Sequence, residues 1–409
     1  MDEKEIAERV KEQGGRIYLV GGAVRDKLRG KSAKDKDYCI SGLNDKKFIV
    51  LFPKAKKIGK SFPVYELEIN GTKCEVSLAR QERKTGTGYH GFETDFNATV
   101  TIEDDLYRRD TTINAMAIEL PEGKIIDPYG GRADIKAGII RAVSEHFRDD
   151  PVRALRAARQ SAEFGYEITN ETLEEMHKCE VELLNEPSER IMQELRNALK
   201  TEKPSRFFRN LEKAGLLKGI FPELHKLKGK IQPQDFHPEG DAFEHTMNIT
   251  DEVSKWNEKP EIRFAALVHD IGKGETPEEM LPHHYQHEVR GQEILDRWNK
   301  RMTLPREWLK IGKFIIKEHM RAPIHKRPGK IVDMLIRINS VMTIKDFNDI
   351  IRADHKGLPS YLANGEELLK ELLKVKGSEC PEGLKGEQIG EWIRAERIRY
   401  YVKIRDSSA

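Results

Sequence analysis

The hydrophobic period of this chain changes once, near Ile135, and that change bounds what it can fold into. Before it, short apolar runs alternate with turn signals, as strands do. After it, apolar residues recur every three to four positions, as helices do. RIYLV (residues 16–20) reads as a buried strand that stops at Gly21-Gly22. AVRDKLRG reads as a helix ending at Gly30, and DKDYCI as a second strand. PVYELEI, TKCEVSLA and KIIDPY are further strands, with an Asn70-Gly71 hairpin signal between the first two.

The first 130 or so residues therefore predict a mixed α+β domain. PVRALRAARQSAEF, ETLEEMHKCEVELL, SERIMQELRNALK and PSRFFRNLEKAGLL then fit a 3.6 period. The Gly- and Pro-bearing stretch KLKGKIQPQDFHPEGDAF marks a boundary near residues 226–242, before a second helical region. The expected segments are 1–140, 141–228, 229–365 and 366–409, and 409 residues suffice for more than one core. No apolar run of about 18 residues exists to cross a membrane. The amphipathic start MDEKEIAERVKEQGG has no signal-peptide core, so a cytoplasmic protein is expected. Cys39, Cys74, Cys179 and Cys380 form no CxxC pair and read as reduced, mostly buried thiols. With 71 basic and 69 acidic residues, net charge announces no nucleic-acid binder; local clusters must carry that argument.

Three such clusters stand out. Asp35 and Asp37 open a predicted strand, where alternation puts both carboxylates on one face. They can hold Mg²⁺, with Glu75 as a third carboxylate. The Gly21-Gly22 turn lets backbone amides approach a triphosphate, and Arg25 and Asp26 follow on the helix. Next, Arg108, Arg109 and Asp110 precede an apolar stretch that reads as helical. Asp110 suits a cap there, and the two arginines suit phosphate. Asp150-Pro151 starts a helix that carries Arg153, Arg156 and Arg159 along one broad side. Asp only accepts and Arg only donates, so together they can match the base edges of C and A. Finally, nine of thirteen histidines fall between His237 and His355. His245, His269, Asp270 and Asp354, with His283, His284 and His287 nearby, form a set that can hold one or two metals and activate water.

GGAVRD followed by KDKDYCI resembles the first motif of class II tRNA nucleotidyltransferases and bacterial poly(A) polymerases, of the DNA polymerase β superfamily. LYRRDTTINAMAI resembles the second motif and DPYGGRADI the third. DDPVRALRAAR resembles the nucleotide-reading motif, and RQERKTGTGYHGF the flexible-loop segment of CCA-adding members. The resemblance implies a polymerase-β-like domain with a small mixed sheet, followed by all-α domains. It implies that Arg109 contacts the incoming nucleotide, that Asp150 and Arg153 read its base, and that Arg156 and Arg159 help bind it. Asp149 departs from the family pattern, which has Glu there. VHDIGKG and its companions resemble the HD phosphohydrolase superfamily. Behind a class II head they resemble the bacterial multifunctional CCA proteins. That implies His245, His269, Asp270 and Asp354 as the metal set, with His287 and His319 as extras, and Ni²⁺, Mn²⁺, Co²⁺ or Zn²⁺ as the ion.

The expected enzyme adds CCA to tRNA 3′ ends from CTP and ATP, with Mg²⁺ and release of pyrophosphate, as a monomer or homodimer. Its HD region is expected to hydrolyse phosphoesters as a 2′,3′-cyclic phosphodiesterase, 2′-nucleotidase and phosphatase. The competing readings are a poly(A) polymerase, a CC- or A-only enzyme, and an HD hydrolase with a tRNA-binding head. The HD region and the lack of a long basic C-terminal tail argue for CCA addition.

Overall fold

A computed structural model describes the chain except residues 34, 59–63, 85–91, 96, 234–239, 356 and 408–409, and the side chains of 82–94. The chain forms two compact units. One comprises 1–194 and 206–220, the other 195–205 and 221–409.

The first unit is built on a seven-stranded mixed sheet. In chain order its strands are β1 (Arg16–Val20), β2 (Asp37–Ser41), β3 (Lys56–Lys57), β4 (Val64–Ile69) and β5 (Thr72–Leu78). A separate hairpin, β6 (Gln81–Lys84) and β7 (Phe92–Asp95), precedes β8 (Ala117–Leu120) and β9 (Ile125–Ile126). The sheet order is β3-β4-β5-β2-β1-β8-β9. Only β2 and β5 run parallel; the other neighbours are antiparallel. Alternation explains the two-sided core. Ile17 and Leu19 of β1 join Tyr38 and Ile40 on one face. Tyr18 and Val20 join Cys39 and Ala117 on the other. At the expected hairpin, Asn70 and Gly71 both take positive φ (52° and 74°), as a two-residue turn matching strand twist requires.

Two sequence expectations need correction. β2 begins at Asp37, so Asp35 lies in the bend before the strand and shares no strand alternation with it. The ladder stops there because the β1 register ends at Val20↔Asp37, where the chain turns at Gly21. The apolar stretch after Asp110 is also not a helix. It makes one 3₁₀ turn, Thr112–Asn114, and then β8. Pairing of Ala117 with Val20 overrides the helical propensity of the Ala- and Met-bearing run.

Past the sheet, the predicted helices appear as Val152–Phe164, Ser188–Leu199 and Ser205–Lys213. The stretch 171–184 breaks into Asn170–His177 and Glu180–Leu183. The second unit is helical. Its core joins helices Ala242–Ser254, Pro260–Val268, Arg306–Glu318, Pro328–Asn339 and Ile344–His355 through residues such as Val253, Ala265, Ile315, Leu335 and Ile350. Among the described residues no helix is long and apolar enough to cross a membrane. All four cysteines are free, and Cys39, Cys74 and Cys179 are buried.

Candidate functional site

Sheet register builds the first site. Val20, Asp37 and Glu75 are direct cross-strand neighbours on β1, β2 and β5. The chain leaves Val20 through Gly21, whose φ of 69° is the left-handed conformation glycine tolerates. A Cβ there would meet the Arg109 guanidinium at 3.1 Å. Helix Gly22–Leu28 then brings Arg25 to the same cleft, which has a volume of about 430 Å³. Asp37, Glu75, Arg25, Arg109, Asp110, Asp150, Arg153, Arg156 and Arg159 all line it. Asp37 is exposed at its floor. Partial burial and the charges of Glu75 and Asp35 raise its pKa, against the pull of Arg109. Three carboxylates whose charges repel one another are a donor set that a hard cation relieves, so they fit a divalent ion with oxygen ligands.

The arginines are held by buried acids, of which the sequence marked Asp110 but not Asp105. Fully buried Asp105 pairs with both Arg108 and Arg109. Burial would raise its pKa, but the two guanidiniums hold it down at about 2. Asp110 is only 6% exposed and accepts from Arg156, Gln160, Asn114 and the Thr111 amide. Burial opposes ionisation there too, but Arg156 and these hydrogen bonds hold the carboxyl well below its usual range. Asn114 in turn accepts from Arg25 at 2.7 Å. A polar chain therefore runs from the Gly-Gly helix to helix Val152–Phe164. Asp110 sits inside that chain and fixes Arg156.

Asp150 accepts the Val152 amide at 3.2 Å, as expected of a cap. Its carboxylate is also gripped by one terminal nitrogen of Arg190, at 2.8 and 2.9 Å. Arg153 donates to the His146 carbonyl at 2.5 Å, and Asp149 accepts from His146 Nδ1 at 2.6 Å. What Asp149 orients in this chain is thus His146, the residue whose carbonyl holds Arg153. Arg159 pairs with Glu194 and Glu163, each at 2.6 Å. Most of the segment resembling the flexible loop, residues 85–91, lies outside the described residues.

The second site lies wholly within the second unit. His269 and Asp270 follow the last turn of helix Pro260–Val268. His245 comes from helix Ala242–Ser254 and Asp354 from the last turn of Ile344–His355. His245, His269 and Asp270 converge as one buried three-ligand group. Asp270, His287 and His319 form a second, so Asp270 is shared. Asp354 Oδ1 lies 3.2 Å from His245 Nε2 and 3.7 Å from His269 Nε2. Nδ1 of His269, His287 and His319 faces the carbonyls of Ala266, His284 and Ile315 at 2.7, 2.9 and 3.0 Å. A carbonyl only accepts, so each Nδ1 carries a proton and each ring turns its Nε2 inward. Those Nε2 atoms crowd at 3.3 Å in the pairs His245–His269 and His287–His319. Asp270 Oδ1 is buried without a hydrogen-bond partner among the described residues. Burial alone would lower the His269 pKa, yet Asp270 and Asp354 raise it to about 10. The pocket demands positive charge, and mixed imidazole–carboxylate donors fit a transition metal.

His283 and His284 join neither group. His283 stacks on Tyr285. His284 bridges Thr276 Oγ1 (2.8 Å) and the Ile231 carbonyl (3.0 Å), and burial lowers its pKa to about 4. Their clustering in sequence with His287 carried no information about which ring turns inward.

Family comparisons match this order of parts. Residues 17–141 match the Poly A polymerase head domain, 165–228 the probable RNA and SrmB-binding site of polymerase A, and 242–376 the HD domain. A multifunctional CCA protein of Nitrosococcus oceani is 38% identical over 398 residues, covering 94% of this chain and 97% of the relative. The chain belongs to the multifunctional CCA protein family. A multifunctional CCA protein of Shewanella denitrificans is 41% identical over 309 residues, 74% of each chain. The fold is shared with solved structures. One is a Bacillus stearothermophilus CCA-adding enzyme in complex with CTP (23% identity, TM-score 0.67, 100% of this chain and 93% of that one). Another is a tRNA nucleotidyltransferase complexed with a primer tRNA and an incoming ATP analog (22% identity, TM-score 0.59, 91% and 99%).

Proposed function

We propose that this chain adds CCA to the 3′ end of tRNA from CTP and ATP without a nucleic-acid template. The observation that carries the reading is one cleft in which Asp37 and Glu75 share a wall with Arg25, Arg109, Asp150, Arg153 and Arg156. Groups suited to phosphate chemistry and groups suited to a base edge thus face one bound nucleotide. The tRNA 3′-hydroxyl attacks the α-phosphorus, the bond to the β-phosphate oxygen breaks, and pyrophosphate leaves. Asp35, Asp37 and Glu75 hold Mg²⁺, which when bound offsets charge on the phosphates. Arg25 and Arg109 orient the triphosphate, and Gly21, with no Cβ, lets backbone amides approach it. Asp150 accepts from the amino group that C and A share, and Arg153 donates to the ring nitrogen beside it. U and G would set a carbonyl oxygen against the carboxylate, a mismatch costing roughly 1–3 kcal/mol. Arg156 and Arg159 complete the nucleotide-binding wall, with Arg156 held by Asp110.

The test uses tRNA ending before C, at C, at CC and at CCA, with each nucleotide supplied alone. Stepwise addition of C, C and A with arrest afterwards is expected. Growth past A, or full incorporation by an Asp35→Ala/Asp37→Ala double variant, overturns the reading.

A second activity is favoured by the paired histidine groups. In this reading His245, His269, Asp270 and Asp354 hold one transition-metal ion, and His287 and His319 extend the set through Asp270. An ion held by these residues would supply activation of water for phosphoester hydrolysis. The site's Nδ1–H···O=C bonds keep the rings turned inward. The expected substrates are 2′,3′-cyclic phosphodiesters, 2′-nucleotides and simple phosphomonoesters. His269→Ala is expected to abolish their hydrolysis while CCA addition persists; loss of both argues against two independent sites.

A further inference from the structure

Gln232 stands beside the histidine centre and belongs to none of its ligand groups. It is 4% exposed. Its Oε1 accepts from Lys273 Nζ at 2.6 Å, and the same Nζ lies 2.5 Å from Asp270 Oδ2. An ammonium has no lone pair, so the amide oxygen, not the nitrogen, must face Lys273. That choice leaves Gln232 Nε2 buried without a hydrogen-bond partner among the described residues. Folded proteins seldom leave a buried amide donor unsatisfied unless a ligand is to meet it.

The segment carrying Gln232 is braced on three sides. His284 Nε2 donates to the Ile231 carbonyl at 3.0 Å. Lys230 Nζ donates to the Thr276 carbonyl at 2.9 Å. Ile231 bridges to Asp241 in antiparallel fashion. His284, itself held by Thr276 Oγ1, is thus a buttress for the Gln232 backbone. Such bracing is what holds a binding group ready before the ligand arrives.

We propose that Gln232 Nε2 and Lys273 Nζ form a two-donor cradle for a non-bridging oxygen of a phosphate ester at the histidine–aspartate centre. The cradle demands an acceptor with excess negative charge and offers no acceptor of its own. It suits a phosphomonoester or phosphodiester oxygen and disfavours a neutral carbonyl substrate. This inference rests on the phosphohydrolase reading for its biological sense, but it can be judged on binding alone.

The experiment loads the full chain with Mn²⁺ and measures inorganic phosphate affinity and hydrolysis of bis-p-nitrophenyl phosphate. Gln232→Glu keeps the shape and the bond to Lys273 but replaces the donor with a charge that repels phosphate. About tenfold weaker phosphate binding and a comparable rise in KM are expected, with a smaller change in kcat. Gln232→Leu, which removes the donor without adding charge, is expected to fall between. Metal content per chain and CTP incorporation are expected to match wild type. Undiminished phosphate affinity in Gln232→Glu overturns the proposal. Loss of bound metal in both variants also overturns it, since Gln232 would then only brace Asp270 through Lys273. Wild-type protein that binds phosphate but cleaves no ester defeats the phosphohydrolase reading and leaves the cradle standing.

Discussion

Asp105 shows how one buried carboxylate can organise a cationic cleft. It has no exposed surface and two arginine partners, and its pKa is held near 2 against burial. A carboxylate whose folded pKa lies below its unfolded value stabilises the fold above the unfolded pKa, near 3.9. That stability is lost as pH falls from about 4 to 2, and it amounts to roughly 2 kcal/mol. Asp105→Asn is therefore expected to melt well below wild type at pH 6, with the gap narrowing toward pH 2. A pH-independent gap would mean that the ion pairs contribute nothing. Arg190 raises a different question, because its two bonds to Asp150 fix the carboxylate proposed to read the base. Arg190→Ala is expected to erode the CTP-over-UTP ratio of kcat/KM roughly ten- to hundredfold, with CTP turnover less affected. Equal loss for both nucleotides would assign Arg190 to general folding instead. Neither partner was visible in sequence. Arg190 is 40 residues from Asp150, and Asp105 reads as one more acid in an acidic first turn.

At the scale of elements, what the sequence made legible was local and what it hid was pairing. Gly21-Gly22, Asn70-Gly71 and the 3.6-period helices are punctuation and periodicity, properties of adjacent residues, and the structure bears them out except over 171–184, which breaks into two helices. The strand at Ala117–Leu120 was misread because its identity depends on a partner strand about 100 residues earlier. Similarly, the histidines that turn inward were not those closest together in sequence. His287 opens helix His287–Met302 and His319 closes Arg306–Glu318, and only helix packing brings both to Asp270. One contact controls that packing. A Cβ on Gly272 would lie 1.8 Å from the His287 carbonyl oxygen and 2.7 Å from the Gly291 amide nitrogen. Both are backbone atoms, so no side-chain rotation can relieve the overlap. Gly272→Ala is expected to push helix His287–Met302 off the 3₁₀ turn Ile271–Glu275 and cost roughly 1–3 kcal/mol or more. Phosphodiester hydrolysis is expected to collapse in this variant at temperatures where far-ultraviolet circular dichroism still shows a folded protein. Wild-type hydrolysis would show that the helix contact does not set the position of His287.

For the whole molecule, the decisive fact is that the two sites belong to different compact units and offer different donors. The head offers carboxylate oxygens alone, with Glu75 beside Asp37 and arginines lining the same cleft. The helical unit offers four imidazoles around a shared aspartate. Hard oxygen donors suit Mg²⁺, which keeps part of its water shell and binds substrate phosphates. Imidazole nitrogens favour later divalent metals by the usual affinity order, in which Mn²⁺ is weakest and Ni²⁺ and Co²⁺ bind more tightly. A chain stripped by chelator is therefore expected to lose both activities and to recover them separately. Millimolar Mg²⁺ alone is expected to restore CTP and ATP incorporation while phosphodiester hydrolysis stays near background. Micromolar Ni²⁺ or Co²⁺ added afterwards is expected to restore hydrolysis without raising incorporation. His245→Ala should abolish the second recovery and leave the first intact, because His245 supplies one of the nitrogens and lies outside the head. Full recovery of hydrolysis with Mg²⁺ alone would show that the imidazoles are not ligands, and the histidine centre would then need another explanation.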